Sequence, residues 1–264
     1  MNIIKRELRA NMKSLIIWSS IIVVFVVMMM YEFSAYYNNP EMSAVLDSMP
    51  KALLDAFSMG SANLTTVSGY LSIAAVYFSL MLGIFAVLLG SSIISKEERD
   101  KTVEFFLALP ISRQRILVSK LIAAIINCII INIVTVLAIL ITTIRYEKIA
   151  NFNKFFALLM LGIFIIQMIF LSIGMFLAAI MKRYKKSGTY SISILLALYF
   201  FSIFVSLSEK MEFFKYITPF KFFEAQNILN QGKLDGTYLL ISLGIIVFAM
   251  IGTFVFYPKR DLHI

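Results

Sequence analysis

Charged residues, cysteine and histidine are all scarce in this chain of 264 residues. Charged side chains make up 15% of it and hydrophobic ones 60%, against about 25% and about 45–50% in an ordinary soluble domain. The single cysteine, Cys128, excludes an internal disulfide framework, and the single histidine, His263, excludes a cluster of His and Cys metal ligands. The composition indicates a membrane protein and argues against a soluble enzyme, a secreted domain or a disordered chain.

Six uncharged stretches are long enough to cross a hydrocarbon core of about 30 Å as helices. A β-barrel would alternate polar and apolar residues, whereas these stretches are apolar all round. In lipid only a helix satisfies its own backbone polar groups within one segment. We therefore predict an all-α membrane protein, with residues 1–264 as a single transmembrane domain and spans near 14–31, 69–95, 121–144, 155–181, 187–208 and 236–257.

The placement of Lys and Arg predicts the orientation of the chain. If the N-terminus is cytoplasmic, the inner segments hold 16 of the 24 basic residues, as the positive-inside rule requires. Both termini are then cytoplasmic in a multi-pass protein of the cell membrane. The net charge of +9 is explained by topology and by attraction to anionic lipid, so no nucleic-acid partner is expected.

The chain lacks the residues that membrane chemistry usually needs. It contains no phosphate-binding loop of the G-x-x-x-x-G-K-[ST] type and no G-x-S-x-G nucleophile elbow. The six spans contain no Asp, Glu, His, Lys or Arg, the residues that mark many ion pathways and intramembrane active sites. We therefore expect no enzyme activity, no metal site and no cofactor in this chain itself.

Polar and small residues inside the spans favour contacts between helices over a transport site, although the sequence leaves both open. Side-chain amides and hydroxyls can form hydrogen bonds across helices, and small residues let helix backbones approach closely. The polar set is Asn127, Asn132, Thr135 and Gln167, and the small set is Gly83, Gly90, Gly174 and Ala178.

The segment 96–120 between the second and third spans is the most informative part of the chain. It is densely charged, it contains the apolar run 105–109, and Pro110 interrupts any helix there. Ser112 can then cap a new helix leading into the third span. Such a surface suits a protein that receives force from a cytoplasmic partner. A plain solvated connector would show the same pattern.

Two further segments suggest structures at the membrane interface. Residues 2–13 place apolar and basic side chains on separate faces, which suits a short helix on the inner surface or an ordinary basic flank. Residues 209–235 are rich in aromatics around Pro219, as in two short re-entrant helices or in an interfacial anchor.

The loop contains a recognisable motif, in which an acidic pair, a Thr, a Glu and a Leu-x-x-Pro-x-Ser-Arg run precede a Lys at the third span. Its positions are Glu97, Glu98, Thr102, Glu104, Leu107, Pro110, Ser112, Arg113 and Lys120. This motif resembles the loop of permease subunits of type-2 ATP-binding cassette exporters, and the similarity extends to residues 216–220. Lys101 departs from the pattern, because many members place Gly before the Thr.

The resemblance implies a permease that pairs with a second permease, a copy of itself or a sibling, and sits on separate ATPase subunits that bind ATP and magnesium. It implies an elbow helix at 2–13, a coupling helix within 96–109 and outer re-entrant helices within 213–228. The ATPase-coupling residues would be Glu97, Glu98, Thr102, Glu104, Phe105, Phe106, Pro110 and Arg113. The outer gate would be formed by Phe213, Phe214, Tyr216, Pro219, Phe220 and Phe223.

The function expected from this resemblance is ATP-driven export of a hydrophobic or amphipathic cargo, such as a toxic or antimicrobial peptide or a drug, from a bacterial cell. The alternative is a membrane scaffold or sensor that docks a cytoplasmic partner through the same loop. An intramembrane enzyme is disfavoured by the uncharged spans.

Overall fold

Helices make up the regular structure of this protein wherever the chain is described. The computed structural model describes residues 3–39, 63–100, 112–181, 184–207 and 209–259, with 41, 44 and 48 as isolated positions, and no strand occurs among them. The long helices are α1 Ile3–Tyr36, α2 Val67–Arg99, α3 Arg113–Thr142, α4 Phe152–Ile180, α5 Tyr184–Leu207 and α7 Gly236–Phe256. Between α5 and α7 lie the short helix α6, Ala225–Gln231, and 3-10 segments at Glu209–Tyr216 and Pro219–Lys221, and a third 3-10 segment, Tyr257–Lys259, follows α7.

All six long helices are long and apolar enough to cross a membrane, which confirms the predicted all-α plan with six spans. Helix α3 begins at Arg113, before the expected start of the span at residue 121. The expected boundary marked where charge ends, whereas a helix ends where its backbone hydrogen bonds end. The predicted cap is confirmed, because Ser112 Oγ accepts a hydrogen bond from the Arg115 backbone N–H at 3.3 Å.

Helix α1 differs from the expected elbow at residues 2–13 followed by a separate span from residue 14. Residues 3–36 form one continuous helix of 34 residues with no Gly or Pro. At 1.5 Å per residue it is roughly 51 Å long, which exceeds the roughly 30 Å of a hydrocarbon core. Since nothing in the sequence interrupts the backbone hydrogen bonds, the basic N-terminal turns extend the first span.

Helices α2 and α4 form the centre of the bundle, and their backbones touch. A Cβ atom on Gly90 would lie 2.4 Å from the carbonyl oxygen of Leu171, and one on Gly174 would lie 2.4 Å from that of Val87. Only glycine fits at such a crossing. The predicted close-packing role of these two glycines is confirmed.

The other helices surround this pair and expose apolar side chains. Helix α1 packs on α3, α5 on α2, and α7 on α4. Large hydrophobic side chains such as Met28 on α1, Ile133 on α3 and Phe248 on α7 remain more than half exposed. In water such a surface would be unfavourable, so these faces suit contact with lipid or with another membrane protein.

The long helices alternate in direction, so the bundle has two distinct ends. We call one the charged end, formed by residues 3–13, 96–100, 112–120, 184–188 and 257–259. We call the other the aromatic end, formed by residues 31–39, 63–70, 142–155, 207 and 209–236. The contacts at these two ends differ in kind.

Candidate functional site

Five charged side chains from three helices meet at the charged end and form what we call the ion cluster. Lys120 Nζ of α3 lies 2.7 Å from Glu97 Oε2 of α2. Arg6 Nη2 of α1 lies 3.3 Å from Glu97 Oε1 and 3.0 Å from Glu7 Oε1. Lys96 Nζ lies 3.2 Å from Glu7 Oε2. The cluster therefore joins the beginnings of α1 and α3 to the end of α2.

Most of the ion cluster is withdrawn from solvent. The side chains of Glu7 and Lys120 have no exposed surface, and that of Glu97 is 7% exposed. Removing one partner from a buried ion pair leaves an uncompensated charge and costs about 3–5 kcal/mol. The geometry of the cluster is therefore strongly specified, although the pairs need not add net stability.

A backbone contact strengthens the link between α2 and α3. Lys120 Nζ also donates a hydrogen bond to the carbonyl oxygen of Ile93, one turn before Glu97. At the same end Arg113 Nη1 donates to the carbonyl oxygen of Pro258 at 2.9 Å, which ties the start of α3 to the chain after α7. The two ends of the segment 101–111 are thus anchored to the bundle.

The structure places three of the predicted coupling residues around these anchors. Glu97 belongs to the ion cluster, Glu98 is buried beside it, and Arg113 makes the contact just described. The other predicted coupling residues lie outside the described residues, namely Thr102, Glu104, Phe105, Phe106 and Pro110. Their coupling role stays a prediction.

Sequence reasoning missed Arg6, Glu7 and Lys96 as members of a site. Glu7 is the only acidic residue in a basic N-terminal flank, and that exception was the available signal. Its partner Lys96 is 89 positions away along the chain. No local pattern predicts such a pairing.

At the aromatic end, rings join the same three helices. The Phe33 ring of α1 lies 4.9 Å, between centroids, from the Tyr70 ring of α2 and from the Tyr146 ring after α3. Tyr70 Oη donates a hydrogen bond to the carbonyl oxygen of Met29 at 3.0 Å. We call Phe33, Tyr70 and Tyr146 the ring cluster.

The aromatic segment predicted as an outer gate turns back into the bundle. Phe213, Phe214 and Tyr216 lie in the first 3-10 segment and are more than a third exposed. From Pro219 the chain runs inward, so that the Phe220 ring lies 5.5 Å from Tyr199 of α5. Tyr199 lies eight residues before the end of α5, roughly 12 Å along the helix axis.

Phe220 and Phe223 pack against side chains and glycine positions of α4. The Phe220 ring lies 5.2 Å from that of Phe170. A Cβ atom on Gly162 would lie only 2.9 Å from the Cβ of Phe223, so the missing side chain makes room for this ring. The gate role of these rings is untested, but the inner part of the segment is packed rather than free.

A cavity of about 480 Å³ lies beneath this segment. Its walls come from residues 72–79 of α2, residues 199–206 of α5 and residues 220–226. The walls carry serine and tyrosine hydroxyls, together with Lys221 and Glu224, which form an ion pair with each other. The cavity can therefore accommodate a molecule with both apolar and polar parts.

Inside the spans, one pair of amides links α3 to α4. Asn132 Nδ2 donates to Gln167 Oε1 and also to the carbonyl oxygen of Cys128 at 2.8 Å. The predicted role in helix contacts is confirmed for this pair, whereas Asn127 and Thr135 bond to carbonyls of their own helix. Within the described ranges, no three His, Cys, Asp or Glu side chains cluster as metal ligands would.

Comparison with protein families decides what kind of bundle this is. The sequence model of the ABC-2 family transporter proteins matches residues 1–262. The chain belongs to the ABC-2 transporter family. The resemblance seen in the loop motif is therefore confirmed over the whole chain, and the protein is a multi-pass membrane permease.

Membership of the ABC-2 family also implies a protein partner for this chain. The permease of this family is the membrane component, and the ATPase is a separate component that the family implies as a partner. The comparison with curated proteins found no match. The family thus establishes the class of protein and leaves the cargo open.

Proposed function

We propose that this permease exports a hydrophobic or amphipathic cargo, driven by a partner ATPase that docks at the charged end. The observation that carries this proposal is the match to the ABC-2 family over residues 1–262. In this arrangement ATP and magnesium bind to the ATPase, and this chain provides the pathway. A second permease, most simply another copy of this chain, completes the transporter.

The orientation follows from the distribution of charge. The charged end carries exposed cations such as Arg9, Arg115 and Lys259, which the positive-inside rule assigns to the cytoplasm. The aromatic end then faces outward, and its tyrosines and phenylalanines match the belt of rings found at membrane interfaces. The ATPase is therefore expected to reach the charged end from the cytoplasm of a bacterial cell.

Coupling in this proposal runs through the segment 101–111 and the ion cluster. A push on that segment moves the end of α2 and the start of α3 together, because Lys120 holds Glu97 and the Ile93 carbonyl. Glu7 and Arg6 extend the connection to α1. Three helices can thus shift as one body between two packings of the bundle.

The cargo class is inferred from the interior of the bundle. The uncharged spans disfavour ions and highly charged solutes. The cavity beneath the aromatic segment offers hydroxyls and one ion pair among apolar walls, which suits an amphipathic molecule such as a peptide or a drug. Opening this cavity outward would require the segment around Pro219 and Phe220 to move.

The test is to purify the chain with a candidate ATPase and to measure both ATP hydrolysis and cargo movement in proteoliposomes. We expect a stable complex, no hydrolysis by the isolated chain, and loss of transport in Glu104→Lys or Arg113→Glu. If both ATP hydrolysis and cargo transport were unchanged by these substitutions, the proposal that the ATPase docks at the charged end would be contradicted. A complex that hydrolyses ATP while no cargo moves, across a cargo panel, would favour a scaffold or sensor.

A further inference from the structure

A second cavity, of about 710 Å³, opens at the charged end between α1, α2 and α5. Residues 10–18 of α1, residues 85–99 of α2 and residues 187–188 of α5 line it. Its volume falls within the range of about 300–1,000 Å³ that is typical of small-ligand sites. We call this cavity the serine groove, and the mechanism proposed above does not use it.

The serine groove combines cationic, polar and apolar side chains. Lys13 and Arg99 line it with cationic side chains, and both are exposed. Serines from α1, α2 and α5 also line it. Trp18 and Phe85, whose ring centroids are 6.0 Å apart, lie at its end farther from the charged end of the bundle. This combination of surfaces matches a phospholipid, which has a charged head, a polar glycerol region and apolar chains.

The two cations of the serine groove have hydrogen-bond donors that no described carboxylate uses. No carboxylate of the described residues lies within ion-pair distance of Lys13, and Arg99 uses only its Nε in the 3.0 Å contact with Asp100. Both Asp100 and Arg99 are about half exposed, so this pair is weak and open to exchange. A phosphate can accept bonds from both cations.

The serine oxygens select for the same kind of ligand. The hydroxyls of Ser91 and Ser92 already donate to carbonyl oxygens of their own helix, at 3.0 and 3.2 Å. Ser95 Oγ donates to the Ser91 carbonyl at 2.8 Å and is also paired with Ser187 Oγ at 3.3 Å. The oxygens of Ser91 and Ser92 therefore line the groove chiefly as acceptors. They suit a headgroup that brings hydroxyl donors with its phosphate, such as phosphatidylglycerol.

We propose that the serine groove is a binding site for one anionic phospholipid, with its phosphate at Lys13 and Arg99 and its chains along Trp18 and Phe85. A zwitterionic headgroup adds an ammonium group, which the same two cations repel. This site is distinct from the general attraction between a basic protein surface and anionic lipid. The proposed orientation decides only the leaflet, which is the inner one.

Trp18 makes the proposal directly measurable, because it is the only tryptophan of the chain. Its fluorescence is recorded in phosphatidylcholine nanodiscs. These contain, at equal mole fractions, either brominated phosphatidylglycerol or brominated phosphatidylcholine. Bromine quenches tryptophan only at short range. We expect apparent affinity for the anionic lipid to be higher by a factor on the order of ten, from two phosphate-binding cations. Equal quenching by the two lipids would overturn the proposal.

Two matched double variants distinguish lipid binding in the groove from attraction by the charged surface as a whole. The double variant Lys13→Gln with Arg99→Gln should lose the preference for the anionic lipid. The control Arg115→Gln with Lys259→Gln removes the same charge from exposed positions at the same end, outside the groove. It should keep the preference. If both double variants lose it equally, the charged surface as a whole attracts the lipid and the proposal is wrong.

A final arm distinguishes a lipid from a soluble anion. Inorganic phosphate is added in large excess to the unsubstituted protein in nanodiscs with the brominated anionic lipid. We expect quenching to persist, because the acyl chains contribute to binding. Recovery of fluorescence would show that the groove binds free phosphate and would overturn the lipid proposal. None of these measurements uses the ATPase, so their failure leaves the export function untouched.

Discussion

The same three helices are joined at both ends of the bundle, but by different physical means. At the charged end the ion cluster joins α1, α2 and α3 through directed contacts between buried charges. At the aromatic end the ring cluster joins them through ring contacts about 5 Å apart, with one hydrogen bond from Tyr70 Oη to the Met29 carbonyl oxygen. Charges in a low-dielectric site tolerate little displacement, whereas ring packing is less directional.

This difference fits the proposal that the charged end receives force from the ATPase and the aromatic end opens to release cargo. An end that receives force benefits from contacts that fix helix positions relative to one another. An end that opens benefits from contacts that can slide and form again in a second packing. The comparison gives the following predictions, in order of the expected effect on stability in detergent or nanodiscs.

The largest effect is expected from Lys120→Met at the charged end. It leaves Glu97 buried without its closest cation, so we expect a loss of about 3–5 kcal/mol and a marked fall in thermal stability. The control is Arg115→Met, an exposed cation of the same helix, which should change little. Glu97→Leu combined with Lys120→Leu should regain part of the loss, and a double variant as unstable as the single one would contradict this explanation.

Next in size is Gly174→Ala at the crossing of α2 and α4 towards the charged end. The added methyl group meets the backbone oxygen of Val87, which cannot move alone, so we expect a loss of about 1–3 kcal/mol. Gly162→Ala would bring its methyl group to 2.9 Å from Phe223 Cβ, a smaller overlap, and should cost less. Gly244→Ala, with nothing within 4 Å of its Cβ position, is the neutral control. Equal melting temperatures for all three variants would refute the close crossing.

A smaller effect is expected from Phe33→Leu in the ring cluster. The change keeps an apolar side chain but removes the ring contacts with Tyr37, Tyr70 and Tyr146, so we expect a loss of about 1–2 kcal/mol. Phe204→Leu, at an exposed position on α5, serves as the control. A loss as large as that of Lys120→Met would show that the two ends are equally rigid and would break the comparison.

The smallest effect is expected from Asp100→Asn, which removes an exposed ion pair at the charged end. Exposed pairs are worth about 0–1 kcal/mol, and salt screens them. Melting curves at low and high salt should therefore differ little between Asp100→Asn and the unsubstituted protein. A loss comparable to that of Lys120→Met would mean that burial is not what distinguishes the ion cluster.

Much of the fold was predictable because membrane spans depend on local composition. Six apolar stretches predicted six helices, a serine after a proline predicted the cap at Ser112, and small residues predicted the Gly90 and Gly174 crossing. The continuous start of α1 was not predicted. Charge marks where a chain leaves lipid, but only backbone hydrogen bonding decides where a helix begins.

The candidate site was predictable only in part. The loop motif pointed to Glu97 and Lys120, and the structure shows them paired. The roles of Glu7 and Arg6 in the cluster were not predicted. Arg6 and Glu97 are 91 positions apart, and nothing near either residue in the sequence indicates the other. The predicted gate residues divide into exposed rings before Pro219 and packed rings after it, a division that depends on which helices lie nearby.

The sequence by itself determined that this chain is a multi-pass membrane protein, that six of its stretches can cross lipid as helices, and that it resembles a permease without an ATPase of its own. Apolar content and charge placement act residue by residue, so they can be read without a structure. Only the tertiary structure decided that α1, α2 and α3 are joined by ions at one end and by rings at the other. Contacts between distant residues depend on how helices pack, and packing is a property of the whole chain.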